Sequence, residues 1–215
     1  MKQVMHRTGD GQVKSVLSEI EGLSFVENPL DFFLVLARYK FAMRFLKKSD
    51  VVLDVGCGLG IGGVLLSKSC KSVTAIDQDE SVIKKNISSY SSIANLAFSA
   101  VDLTQGLTLT ERYDAVVAMD VIEHIKPEFT NTFLSNISSL TKDDGFAVIG
   151  TPNIHSQQYA SAKRKESHYR EFEPDELQDI LEKYYRRVFL FSMTDETIST
   201  SFSKMAWYLI ALCVK

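Results

Sequence analysis

One stretch of thirteen residues, VVLDVGCGLGIGG at 51–63, constrains this 215-residue chain more than any other. Val51–Val55 suits a buried strand, and five glycines then fall within the eight positions 56–63. Glycine lets a ligand approach the backbone closely and lets the chain turn sharply out of a strand. A helix that follows aims its free N–H groups at the same place. The segment reads as a strand, a ligand-cradling loop and a helix, with a carboxylate, Asp54, at the threshold of the loop. A strand-to-helix turn without a ligand is the bland alternative, and five glycines are more than such a turn needs.

The rest of the chain repeats the same rhythm. Apolar, strand-like runs at 72–76, 96–101, 113–119 and 145–150 alternate with helical patterns at 61–69, 80–89 and onward to about 140. Short apolar strands separated by helices imply parallel pairing and right-handed crossovers, hence an α/β, doubly wound sheet. An N-terminal helical region is expected within residues 1–50: in PLDFFLVLARYKFAMRFLKK, Leu36, Tyr39, Met43 and Leu46 recur at helical spacing, whereas the first 28 residues indicate no element. After Gly150 the rhythm changes. Residues 151–173 are polar and loop-like. EPDELQDILEKYY then reads as a helix with Pro174 in its first turn and Leu177, Ile180, Leu181 and Tyr184 on one face. Two β-rich runs, 187–192 and 205–213, close the chain across a Ser/Thr-rich loop. A single domain over residues 1–215 is expected from the length.

Composition narrows the setting. The chain is 45% hydrophobic and 24% charged, as soluble globular proteins are. A net charge of −3 offers no electrostatic footprint for nucleic acid, so nucleic acid is not an expected partner. Cys57, Cys70 and Cys213 have no metal-site or C-x-x-C spacing, which points to a reducing compartment and a cytoplasmic location. The start, MKQVMHRTGDG, lacks the apolar core of a signal peptide. The longest apolar run, 205–214, is about half of what spans a bilayer, so no membrane span is expected. The oligomeric state is not legible.

Which ligand the glycine loop holds is open on the residues alone. Gly58, Gly60 and Gly63 fit G-x-G-x-x-G, and Asp77 follows at a distance near that of the ribose-binding acid of a dinucleotide fold. Two features oppose a dinucleotide. The strand ends at Val55, so the first turn glycine is Gly56, and counted from there the third glycine position is Ile61. A pyrophosphate would also be repelled by Asp54, whereas an acid there suits a ligand carrying an ammonium group. A nicotinamide-dependent oxidoreductase stays as the alternative; it would be expected to continue with further parallel units where this chain has a β-rich pair.

VLDVGCGLG, VTAIDQDE, FSAVDL and YDAVVAMDVIEHI, together covering about residues 51–125, resemble the motifs of the class I S-adenosylmethionine-dependent methyltransferases. The resemblance implies a Rossmann-like fold with a mostly parallel seven-stranded sheet and a C-terminal antiparallel hairpin. It implies S-adenosyl-L-methionine as cofactor, held by the loop at Asp54, Gly56, Cys57 (through its backbone), Gly58 and Gly60. Asp77, with Gln78, would take the ribose hydroxyls, and Asp102, with Leu103, would face the adenine, with Met119 closing the site. A carboxylate can accept two hydroxyl hydrogen bonds at once, which agrees with that assignment of Asp77. A cofactor-binding module without catalysis is the non-enzymatic alternative, and the complete set of pocket acids gives it no support.

The acceptor should lie beside the cofactor, outside the carboxyl ends of the strands. Asp120, Glu123 and His124 share one face if a helix starts at the strand end. His168, in SHYREFEPDEL, lies on the segment 151–173, expected to form an acceptor-side loop or lid. This D-x-x-E-H with a later His is similar to the E-x-x-E-H and later His of small-RNA terminal 2′-O-methyltransferases, where four such residues hold a divalent ion; ubiquinone-pathway O-methyltransferases carry a related E-x-x-E-H. Asp120 stands here for the first Glu, one methylene shorter. The resemblance implies a metal set of Asp120, Glu123, His124 and His168, suited to Mg²⁺, Mn²⁺ or Fe²⁺, with Glu123, His124 and His168 as the catalytic residues. A metal-free general base at His124 or His168, and a purely structural role, stay open. LARYKFAMRFL and HYREFEPDEL also resemble bacterial surface-polysaccharide methyltransferases, and Arg38, Tyr39 and Lys40 lie where they could reach a cofactor carboxylate or an anionic acceptor. The expected activity is O-methylation of a small hydroxylated acceptor such as a sugar or glycan precursor, with RNA 2′-O-methylation as the alternative.

Overall fold

A computed structural model describes residues 5–7, 13–15 and 29–215 of the chain. Strands β1 (Met5–Arg7) and β2 (Val13–Ser15) pair antiparallel as a separate hairpin. The remainder of residues 1–28 lies outside the described residues. The expected N-terminal helix is α1 (Pro29–Met43). It stops short of the pattern that suggested a helix to Lys48, because residues 44–50 fold into turns in which Asp50 accepts the Lys47 N–H at 2.8 Å.

The sheet has the order β5-β4-β3-β6-β7-β10-β8-β9. Strands β3 (Val51–Val55), β4 (Ser72–Asp77), β5 (Leu96–Ala100), β6 (Tyr113–Met119) and β7 (Thr141–Pro152) run parallel. Strand β10 (Tyr208–Val214) inserts antiparallel between β7 and β8 (Arg187–Thr194). The helices α2 (Ile61–Ser67), α3 (Glu80–Ser89), α4 (Thr130–Leu140), α5 (Ala162–Ser167) and α6 (Pro174–Leu181) supply the connections. Strand order reverses between β3 and β6, and a crevice opens beyond the carboxyl ends of these two strands, as expected at a topological switch point.

The expected seven strands become eight. The added strand is β9 (Thr197–Ser199), which folds back on β8 with Thr194 opposite Thr197. The turn between them holds Asp195 at φ +52, in the left-handed region that a short polar side chain tolerates. Three residues of Ser/Thr-rich sequence with no Asn-Gly signal read as a loop; only pairing with β8 makes them a strand.

Side-chain parity along the strands divides the core in two. Leu53, Val55, Val116 and Ala118 face one side with Phe133, Leu134 and Ile137 of α4 and Leu177 and Leu181 of α6. Val52, Ala115 and Val117 face the other with Tyr39 and Ala42 of α1, Leu66 of α2 and Ile83 of α3. Alternating side chains of one strand serve both layers, which is the pattern of a sheet covered on both faces.

Asp54 shares the parity of Val52 and is wholly buried beneath α1. Tyr39 donates its hydroxyl to Asp54 Oδ1 at 3.1 Å. The ring fits because position 62 is glycine: a Cβ there would lie 2.0 Å from Tyr39 Cζ. Asp54 Oδ2 has no hydrogen-bond partner among the described residues, and burial pushes the carboxyl up to about 7 despite the Tyr39 hydrogen bond. Asp54 is thus a buried acid tying α1 to β3, not a side chain facing the crevice. An unfolded Asp titrates near 4, so between about pH 4 and 7 the folded chain binds more protons than the unfolded one, and stability is greatest at the acid end of that window and falls as the pH rises. Denaturant titrations of the wild type and Asp54→Asn across this range should show the slope reduced in the variant, by a total on the order of a few kcal/mol; equal slopes would mean that Asp54 is not a buried, unpaired acid.

Candidate functional site

The loop after β3 closes on itself before it presents anything to a ligand. Gly56 takes φ +67, and a Cβ on it would come within 2.4 Å of Val121 Cγ2, so glycine lets the loop after β3 pass close to the residue that follows β6. Gly58 takes φ +48, and a Cβ on it would enter open space, so its backbone borders the crevice without a side chain in the way. The Gly58 N–H donates to Asp77 Oδ2 at 3.0 Å, and its carbonyl accepts from Asn86 Nδ2 at 2.7 Å. Asp77 Oδ1 accepts the Asp79 N–H at 3.0 Å. The acid at the end of β4 is therefore fixed against the glycine loop by two backbone donors.

The crevice has a volume of about 630 Å³. Of the residues expected around a cofactor, Gly56, Gly58, Asp77, Gln78, Asp102 and Leu103 line it. Asp102 is held by the Thr104 N–H at 2.8 Å and the Thr104 hydroxyl at 2.6 Å. Asp54, Cys57, Gly60 and Met119 stand behind this wall. Asp54, Cys57 and Met119 are buried. Burial and the fields of Asp54 and Asp77 push the Cys57 thiol well up.

At the end of β6 the structure departs from the single helical face expected for Asp120, Glu123 and His124. Asp120 takes φ +57 and is followed by a short 3₁₀ turn, Ile122–His124. The reversal turns Asp120 toward α1, where it forms an ion pair with the Arg38 guanidinium. Arg38 is itself buried and stacks over the Tyr208 ring with 3.8 Å between its Cζ and the ring centre. The residue types that could reach an anion from α1 thus resolve differently: Arg38 pairs with Asp120, and Tyr39 is taken by Asp54.

The structure brings Glu123, His124 and His168 together, with one potential ligating atom of each within 4.8 Å of the others; Asp120 is not part of this group. Glu123 is fully buried; its Oε2 accepts from the Thr151 hydroxyl at 3.0 Å, and Oε1 has no hydrogen-bond partner among the described residues. Burial, reinforced by the Asp120 charge, pushes the Glu123 carboxyl up to about 8. The His124 and His168 rings meet edge to face at 4.7 Å. His124 Nδ1 lies 2.8 Å from the Ser167 carbonyl, which can only accept, so Nδ1 bears the proton and Nε2 the lone pair. His168 Nδ1 lies 2.7 Å from Glu171 Oε1. Burial and the neighbouring His124 hold His168 below the ordinary histidine range, against the pull of Glu171. A buried carboxylate oxygen without a partner and two imidazoles with orientated ring nitrogens make a donor set that a divalent cation would complete.

The segment 151–173, expected to be loop-like, is built around buried polar groups. Asn153 is fully buried and donates to the Ser203 and Ala206 carbonyls. The Tyr169 N–H donates to the Glu123 carbonyl at 2.9 Å. A 3₁₀ turn, Ile154–Tyr159, and α5 occupy most of the interval. Polar composition concealed this order because the polar groups satisfy one another. Sequence reasoning also missed Thr151, Arg164 and Glu171; the only signal for Glu171 is its place three residues after His168, which means nothing until the segment folds.

Comparison with known proteins places this geometry. Residues 32–184 match the model of the methyltransferase domain family. The ubiquinone biosynthesis O-methyltransferase of Rickettsia akari (strain Hartford) is 34% identical over 118 residues, which is 54% of this chain and 45% of that protein. That of Bradyrhizobium diazoefficiens is 30% identical over 115 residues, 52% of this chain and 43% of that protein. The chain spans about half the length of the curated relatives it matches. Among solved structures, the methyltransferase domain of bacterial CtHen1-C superposes with a TM-score of 0.70 at 20% identity, covering 84% of this chain and 98% of that one. The N-methyltransferase NodS from Bradyrhizobium japonicum WM9, in complex with S-adenosyl-L-homocysteine, superposes with a TM-score of 0.65 at 16% identity, covering 93% and 94%. With a glycine loop locked to Asp77, a crevice at the switch point and a family match over residues 32–184, the chain belongs to the S-adenosylmethionine-dependent methyltransferases.

Proposed function

We propose that this protein is an O-methyltransferase that uses S-adenosylmethionine and acts on a small acceptor presenting two adjacent oxygens, such as a vicinal diol or a catechol. The observation that carries the reading is the group Glu123, His124 and His168, of which His124 lines the crevice. The O-methyltransferase names of the curated relatives agree with it. A sugar or glycan precursor is one member of this acceptor class.

S-adenosylmethionine, when bound, supplies an electrophilic methyl group on a sulfonium. In this reading Gly56 and Gly58 lend backbone to the methionine part, Asp77 with Gln78 takes the ribose hydroxyls, and Asp102 with Leu103 borders the adenine. Asp54 and Cys57 act from behind the loop by shaping it. Methyl transfer is a direct displacement, so the protein's task is to aim the acceptor oxygen, exclude water and take up the hydroxyl proton. Tyr169, Phe129 and Ile125 line the crevice and would shield a bound acceptor from water. Glu123 Oε1 and the Nε2 atoms of His124 and His168 are the atoms that would hold a divalent ion, whose charge lowers the pKa of a bound hydroxyl. Without an ion, His124 or His168 takes the proton directly through Nε2. Asp120, paired with Arg38, forms the boundary between cofactor and acceptor. The segment 151–173 forms the acceptor-side wall, and residues 1–215 act as one domain.

The reading is tested by release of S-adenosylhomocysteine against a panel of catechols, vicinal-diol sugars and RNA 3′ ends; turnover confined to RNA would replace it with the RNA alternative. Asp77→Ala should weaken S-adenosylmethionine binding by about 2–4 kcal/mol in a calorimetric titration, since two hydrogen bonds to a charged acceptor are lost; unchanged affinity would remove Asp77 from the ribose site.

The role of the ion is read separately. A chelator should abolish turnover, and Mg²⁺, Mn²⁺ or Fe²⁺ should restore it, while His168→Ala and Glu123→Ala lose turnover and keep cofactor affinity within a few-fold. Full activity in excess chelator, with no metal on elemental analysis, would leave an imidazole as the base.

A further inference from the structure

We propose that Glu171 is the positioning residue that fixes the tautomer and the aim of His168. The proposal rests on the reading that His168 works at this site through a ring-nitrogen lone pair.

Glu171 is buried to within 4% of its surface, a place where a carboxylate persists only with partners. Arg164 supplies them as a fork: its Nε donates to Oε1 at 2.8 Å and its Nη2 to Oε2 at 3.0 Å. Arg164 is anchored in turn, because Nη2 also donates to Ser156 Oγ at 2.9 Å. That hydroxyl lies 2.7 Å from the Asn153 carbonyl and 2.9 Å from the Trp207 carbonyl. A carboxylate gripped on both oxygens by one guanidinium cannot swing, so the acceptor it offers His168 Nδ1 at 2.7 Å is fixed in direction. Glu171 does not line the crevice. Its effect reaches the site through the imidazole: with the proton held on Nδ1, the lone pair stands on Nε2. His124 reaches the same state through the Ser167 carbonyl, so the stretch from Ser167 to Glu171 sets both rings.

Long-range proton–nitrogen correlation spectra of the full chain with labelled histidines, recorded without cofactor or metal, read the tautomer directly. The wild type should show His168 as a single Nδ1–H tautomer, and Glu171→Ala a mixture of both. Glu171→Gln, whose amide oxygen still accepts from Nδ1–H and Arg164 Nε while its NH₂ loses the bond from Arg164 Nη2, should recover most of the single form. Mn²⁺ affinity and turnover should fall about 10–100-fold in Glu171→Ala and recover most of that loss in Glu171→Gln, with S-adenosylmethionine affinity unchanged in both. If the alanine variant does not fold, Arg164→Lys, which replaces the fork by a point charge, should give the same tautomer mixing. An Nε2–H tautomer in the wild type overturns the proposal. So does a single Nδ1–H tautomer with wild-type Mn²⁺ affinity in Glu171→Ala or, failing that, in Arg164→Lys. Because the spectra need no acceptor, they decide this point even if no hydroxylated acceptor is ever methylated.

Discussion

The close approach of the Gly56 backbone to the Val121 side chain at the switch point is the constraint from which the rest follows. Parallel pairing sets the ends of β3 and β6 side by side, with Val55 opposite Ala118. Gly56, just past β3, then meets Val121, just past β6, at a distance where even one methyl group would collide, so the chain after β6 has little room in which to turn. Asp120 makes that turn with a positive φ, and the 3₁₀ turn that follows buries Glu123 and exposes His124 to the crevice. The glycine loop then needs its own support, which Asp77 and Asn86 give by holding both backbone groups of Gly58. A single steric condition thus couples the cofactor side of the crevice to the acceptor side.

The site is also a concentration of charge that the fold does not fully neutralise. Asp54 Oδ2, Glu123 Oε1 and Arg38 Nε are buried without hydrogen-bond partners among the described residues. Each costs stability, and they gather at the carboxyl ends of β3 and β6 and against the helix that covers them. Burial raises both carboxyls toward neutrality, where a bound cation or a proton can change their state. Arg38 resolves part of the imbalance by pairing with Asp120, whose charge still acts on Glu123.

Much of this was legible before any coordinates. The Gly-rich run after an apolar strand marked the tight loop between β3 and the helix after it, because glycine takes the positive φ values found at Gly56 and Gly58 at little cost. The acids at successive strand ends, Asp77 and Asp102, were legible for the same reason: strand length and loop position put them at the crevice whatever the helices do.

Other features were decided only in three dimensions. Asp54 reads as a ligand-facing acid, yet strand parity and the Tyr39 ring lodged at Gly62 bury it beneath α1. The i, i+3, i+4 spacing of Asp120, Glu123 and His124 reads as one helical face, yet a positive φ at the first of them sends Asp120 elsewhere. Strand β9 and the ordered segment 151–173 exist because of partners distant in sequence: β8 for the one, and the carbonyls of Glu123, Ser203 and Ala206 for the other. The clamp of Arg164 on Glu171 behind His168 is of the same kind. Local sequence determines φ, face and length; which buried polar atom meets which partner is a property of the packed chain, because a hydrogen bond between segments exists only once both are held in place.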